Sequence, residues 1–253
     1  MGYSTDGSSH KDGIKNEQNL IETLKQQARQ LYPHLSEDFE VIKRGGTQYK
    51  QDMEIVDGDD TILISAKKKT EINTGSFDWT NSSAAAKSIP CLKVFSDTVK
   101  EVGKSHDLKG SAKLAVLIAS HKALGELTSD NVKDILQEHI SKKNKGMKII
   151  ISETTTGSNW EYDFEESPLN VSILNHTPRV QLGDGIDSAK IMFEDDEGNT
   201  LDHGLRIRIV TNNGIGALIG KSKANKYSQG VVKIQQDNIP GLISSLGDKI
   251  RKF

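Results

Sequence analysis

The sequence predicts an α/β protein with a mixed central β-sheet flanked by helices, followed by a β-rich C-terminal half. Strand-like and helix-like segments alternate as far as about Lys145, the pattern of a sheet that carries helices on its faces. Beyond Lys148 the texture changes to short β-branched runs separated by Gly and Asn turns. With 253 residues, 34% of them hydrophobic, the chain can bury a substantial core as one large domain or two small ones. No internal repeat, low-complexity tract or convincing linker separates its halves.

Residues 1–13 are rich in Ser, Gly and Asp and read as a flexible arm. The expected organisation is an arm over residues 1–14, an α/β core over 15–148 and a β-rich region over 149–253. From Lys15 to about Leu31 the apolar residues Leu20, Ile21, Leu24, Ala28 and Leu31 follow helical spacing, and Pro33 prevents continuation. Glu17 falls in the middle of that apolar stripe and should face protein, where a metal ion or a lysine would have to neutralise it. Its alternative is a first-turn acid favoured by the helix dipole and turned to solvent.

A short strand is expected over residues 39–42, and Arg44-Gly45-Gly46-Thr47 forms a flexible approach to a β-hairpin. Asp52-Met53-Glu54-Ile55-Val56 and Thr61 to Lys69 read as its two strands, with the turn at Asp57-Gly58. Residues 70–83 are polar and read as a loop, and residues 84–102 as a largely helical, basic segment interrupted near Pro90. The apolar run 113–119 reads as a buried strand, and 129–140 as a helix capped by Ser129 or Asp130. In the second half, strands are expected at 148–151, 170–174, 189–193, 205–210 and 231–234, with a closing helix over 239–251.

Composition excludes several functions. No run approaches the roughly 18 apolar residues of a membrane span, and the N-terminus lacks both a secretory core and the character of a transit peptide, so a cytoplasmic protein is expected. Cys91 is the sole cysteine and precludes an internal disulfide or a thiolate zinc cluster. There is no phosphate-binding Gly-x-x-x-x-Gly-Lys-Ser/Thr loop and no His-Glu-x-x-His, and the seven histidines are scattered. Trp79 and Trp160 read as packing residues before they read as base-stacking ones. The net charge of -2 conceals segregation: residues 61–150 hold 15 basic and 9 acidic side chains, and residues 211–253 hold 7 and 2. Two such basic blocks are able to face a polyanion.

The hairpin holds the chemistry. Side chains alternate along a strand, so Asp52 and Glu54 share one side of the first strand and Ser65 and Lys67 one side of the second. Hard oxygen ligands and an ammonium at one spot suit a divalent cation that activates water against a phosphodiester. Glu17 on the first helix, Asp52 at a strand start and Ser65-Ala66-Lys67 on the next strand together resemble the PD-(D/E)XK nuclease superfamily, which includes most type II restriction endonucleases. The resemblance spans about residues 15–150 in element order, with Gln51 where the family name has Pro and Ser65 where it has Asp or Glu.

That resemblance implies a restriction-endonuclease-like core and Mg²⁺, with Mn²⁺ expected to substitute. Asp52 and the backbone carbonyl of Ala66 become metal ligands and Lys67 the catalytic lysine. Because a hydroxyl binds Mg²⁺ more weakly than a carboxylate, Glu54 or Glu17 is expected to compensate for Ser65. Lys68 and Lys69 would meet phosphate, and Arg206, Arg208, Lys221, Lys223 and Lys226 would contact the target. The expected activity is site-specific cleavage of double-stranded DNA, by resemblance as a homodimer. A homing or junction-specific nuclease, or a non-catalytic nucleic-acid-binding protein that lost its second carboxylate, are the alternatives.

Overall fold

The computed structural model describes residues 8–44, 50–69, 74–81, 85, 89–102, 109–153, 156–183, 185–211, 230–236 and 239–253. The fold is α/β, as expected, with a six-stranded mixed sheet and a second, antiparallel sheet of five strands. Contacts divide the chain into two compact units that are interleaved in sequence. The first comprises residues 1–75, 143–171 and 239–253, and the second residues 76–142 and 172–238. This differs from the sequential division expected at residue 148, because strands from three separate stretches join one sheet.

In the first unit, helix α1 (Ser8–Leu31) precedes β1 (Glu40–Lys43), β2 (Met53–Asp57) and β3 (Asp60–Lys69). These strands form an antiparallel meander in which Met53 lies opposite Ile64 and Ile55 opposite Ile62. The sheet continues through β5 (Met147–Glu153), β6 (Asn159–Asp163) and β11 (Ile250–Lys252), in the order β1-β2-β3-β5-β6-β11. Only β3 and β5 are parallel, with Ala66 opposite Ile150 and Lys67 opposite Ile151. Leu20, Ile21, Leu24 and Ala28 of α1 pack on Met53, Ile55, Ile64 and Ile150, so the predicted helical stripe finds one face of the sheet. Burying such side chains contributes roughly 1.5–3 kcal/mol each. Helix α1 starts at Ser8, within the stretch expected to be an arm. Extending a packed helix adds a hydrogen bond per residue, which offsets the roughly 1 kcal/mol that Gly13 costs.

The second unit is built on β4 (Thr74–Asn81), β7 (Thr177–Leu182), β8 (Ser188–Glu194), β9 (Thr200–Thr211) and β10 (Gly230–Gln236), ordered β4-β10-β9-β8-β7. Strand β4 lies where a loop was expected. Helices α2 (Pro90–Val102), α3 (Lys109–Glu126) and α4 (Ser129–Leu136) belong to this unit, and α4 runs into a π-helical turn over Gln137–Ser141. The run expected to be a strand at 113–119 lies inside α3: Val116, Ala119, Ala123 and Leu124 are buried at helical spacing while Leu114 and Ile118 are exposed. Short apolar runs do not distinguish strand from helix by periodicity, and alanine favours the helix. Helix α4 is capped by Thr128, not Ser129 or Asp130, through a reciprocal pair of bonds with Asn131.

Two further assignments change. Residues 170–174, expected to be a strand, belong to helix α5 (Pro168–Asn175). Ser167 accepts the Asn170 N–H at 3.1 Å and Pro168 follows it, a cap with proline in the first turn. The closing helix α6 (Ile239–Leu246) is shorter than expected. Gly247 adopts φ +52°, which an L side chain resists, and the chain then turns into β11.

Candidate active site

Asp52 stands one residue before β2 and extends its ladder. Its N–H donates to the Ile64 carbonyl at 2.9 Å, and its own carbonyl accepts the Arg44 N–H at 2.9 Å. Its carboxylate then takes the place of the next strand residue: Oδ2 accepts the Ala66 N–H at 2.7 Å and the Ser65 hydroxyl at 3.2 Å. Register therefore brings Asp52, Ser65 and Ala66 to one point, as the hairpin pattern required. A residue's N–H and C=O point to the same neighbouring strand, so the Ala66 carbonyl is directed at the same open end of β2.

Alternation assigns the faces of the sheet. Met53, Ile55, Ile64 and Ala66 face α1, which turns Glu54, Ser65 and Lys67 to the opposite face. Ser65 is almost wholly buried and Lys67 half-buried, two residues further toward the carboxyl end of β3. The site lies where the β2–β3 ladder ends, beside the middle of the parallel pair β3 and β5, in which Ser65 stands opposite Ile149. On the same face, the row that starts at Lys67 continues through Ile151 to Trp160, with the Lys252 ammonium 5.7 Å from the Trp160 ring centroid.

The other two carboxylates are committed elsewhere. Glu54 is 8% exposed; its Oε2 accepts Arg44 Nε–H at 2.9 Å and its Oε1 accepts Gln51 Nε2–H at 2.6 Å. Burial by itself would raise its pKa, but the Gln51 and Arg44 bonds and the Arg44 charge outweigh that and hold it below the usual value. Glu17 pairs with Lys43 at 3.0 Å, and Lys43 sits opposite Met53, on the α1 face of the sheet. The predicted inward carboxylate thus takes a lysine as its partner. Arg44, Gln51 and Lys43 are partners that the sequence pattern did not assign.

Among the described residues no group of three or more His, Cys, Asp and Glu side chains is gathered to hold a metal ion. For Mg²⁺ the donors that fit are Asp52 Oδ1, which makes no hydrogen bond among the described residues, and the Ala66 carbonyl. Mg²⁺ commonly takes one or two carboxylates and fills its remaining positions with water and substrate phosphate, so this donor set suits it, though thinly. Lys68 ends up on the α1 face. The Lys69 side chain and Gly45, Gly46, Lys221, Lys223 and Lys226 lie outside the described residues and side chains.

In the second unit, Arg206 and Arg208 share a face of β9, as their alternation predicted, and Arg208 pairs with Asp187 at 2.6 Å. Two of the scattered histidines meet there around a buried hydroxyl. Ser172 Oγ lies 2.8 Å from His203 Nε2 and 3.0 Å from His176 Nδ1. Burial holds the His203 imidazole below its ordinary pKa, with His176 adding to that and Asp202 opposing it. No helix among the described residues is long and apolar enough to cross a membrane. Comparison with family models, with curated proteins and with solved structures finds no match.

Proposed function

We propose that this chain is a Mg²⁺-dependent endonuclease of double-stranded DNA, related in design to the PD-(D/E)XK nucleases. The observation that supports this most is the convergence of Asp52, Ser65 and the Ala66 backbone where the β2–β3 ladder ends, with Lys67 one alternation further on the same face. Asp52 Oδ1 and the Ala66 carbonyl would hold the metal, which when bound lowers the pKa of water and neutralises charge on a phosphodiester. Ser65 and the Ala66 N–H fix the Asp52 carboxylate by binding its other oxygen, so it is presented in one orientation. The Lys67 ammonium orients the attacking water and stabilises charge that develops on the phosphoryl oxygens.

A second reading is a nucleic-acid-binding protein without catalysis. It is favoured by the engagement of Glu54 with Arg44 and of Glu17 with Lys43, which leaves Asp52 as the carboxylate of the site. Cleavage of plasmid and phage DNA with Mg²⁺ or with chelator separates the two. The nuclease reading expects metal-dependent products and a loss on the order of 10²–10³-fold in rate for Lys67→Ala. Absence of metal-dependent cleavage, or cleavage undiminished in that variant, would refute it. Discrete bands would indicate sequence-specific cutting.

A further inference from the structure

The five-stranded sheet of the second unit has two unlike faces. Leu205, Ile207 and Ile209 of β9, with Ile234 and Val232 of β10 and Ala189 and Ile191 of β8, are all nearly inaccessible and form one face. The opposite face is cationic. Register places Arg206 between Gln235 and Lys190, and Arg208 between Lys233 and Ser188. Arg179, opposite Met192, adds a further cation on β7. Neighbouring strands stand about 4.8 Å apart and alternate residues roughly 6.7 Å apart, so these side chains form a grid on the scale of successive phosphates.

Acids stand beside three of these cations. Asp187 pairs with Arg208 and Glu194 with Arg179, each at 2.6 Å, while Asp202 stands 4.0 Å from Lys190. Lys233 has no carboxylate partner among the described residues. It is half-buried and directly opposite the Arg208 guanidinium, and both burial and that charge push its pKa down. Like charges directly opposite in a sheet are destabilising. Lys233 thus stands beside the Arg208–Asp187 pair with no acid of its own among the described residues, and its stem can extend the ammonium toward solvent.

We infer that the face formed by Lys190, Arg206, Arg208 and Lys233 grips the phosphodiester backbone of duplex DNA. This rests on the nucleic-acid reading above and gives it a second, non-catalytic surface: Lys233 and Lys190 meet phosphates as point charges, and the arginine beside each adds to the positive potential of the face. Such contacts position the duplex without reading its sequence.

The test is binding of a labelled duplex by fluorescence anisotropy across a salt series, in Ca²⁺ to suppress cleavage, for the full chain and for Lys233→Gln, Lys190→Gln and the double variant. Melting temperatures are measured alongside. Each substitution is expected to lower the slope of log affinity against log salt by about 1 and the double variant by about 2. Lys233→Gln should melt no lower than the parent, since it removes an uncompensated charge; a lysine with a purely structural role would lower the melting temperature and leave the slope alone. Lys190 is 58% exposed, so its variant tests the surface even if Lys233→Gln folds poorly. Unchanged slopes in a chain that binds and cleaves DNA overturn the grip while sparing the nuclease reading. Lowered slopes in a chain that never cleaves support the grip and remove the nuclease reading, and absence of any DNA binding overturns both.

Discussion

Asp52 has a structural task and, on the proposed function, a metal-binding one, and substitution can separate them. Its Oδ2 accepts the Ala66 N–H and the Ser65 hydroxyl, so removing the carboxylate leaves a partly buried backbone donor without a partner, at a cost of about 1–3 kcal/mol. Asp52→Asn keeps an acceptor and a similar shape but loses the negative charge that the proposed metal site needs. Thermal unfolding should therefore show Asp52→Ala well below the parent and Asp52→Asn close to it, and on the proposed function neither variant cleaves DNA. Glu54 gives a pH signature. Its folded pKa is depressed, because the Gln51 and Arg44 bonds outweigh the effect of burial, so its pairing stabilises the fold above the unfolded carboxylate value of about 4.3. That stabilisation is lost as pH falls through the folded value. The melting-temperature gap between parent and Glu54→Gln should accordingly be wide near neutrality and narrow as pH falls below the ordinary carboxylate range; a gap that does not change with pH would show that charge is not what binds Glu54 to Arg44.

At the scale of elements, α1 and the hairpin form a single device. The helix lays Leu20, Leu24 and Ala28 on Met53, Ile55 and Ile64, and that packing determines which face of the sheet is left for Glu54, Ser65 and Lys67. Leu24 is fully buried, and Leu24→Ala should cost about 2–5 kcal/mol, read as a shift in the midpoint of urea unfolding at an unchanged slope. Elements with strong local signals were legible in the sequence: α1 from its apolar spacing and Pro33, the hairpin from Asp57-Gly58, and β9 from strict alternation through Arg206 and Arg208. Residues 113–119 and 170–174 were not. Both are short apolar runs, and the features that decide them, alanine content in α3 and the Ser167-Pro168 cap of α5, are weaker than the runs themselves. At the site, Asp52, Ser65, Ala66 and Lys67 were legible because one turn sets their register. The partners of Glu54 and Glu17 come from β1 and the residues around it, which no spacing within the hairpin specifies.

For the whole molecule, the decisive contact is the parallel pairing of β3 with β5. Parallel strands need a long connection, and here residues between Lys69 and Met147 include three helices that belong to the other unit. Strand β11, near the C-terminus, closes the same sheet: Arg251 binds Glu161 on β6 at 2.6 Å and also the Leu31 carbonyl at the end of α1. A fragment of residues 1–148 lacks nearly all of β5, together with β6 and β11, and should show no cooperative unfolding by circular dichroism. Cooperative melting of that fragment would mean that the core is confined to the first part of the chain.

The sequence alone determined the hairpin, the face shared by Asp52, Ser65 and Lys67, the first helix and the α/β character, because each follows from periodicities and turns only a few residues long. Tertiary structure alone decided that β5 joins β3, that α1 covers the side away from Lys67, that Glu54 and Glu17 are held by cations, and that Lys190 and Lys233 join Arg206 and Arg208 on one face. Those outcomes depend on contacts between residues tens to hundreds of positions apart, and local spacing carries no information about which distant strand will complete a ladder or which charge will stand opposite.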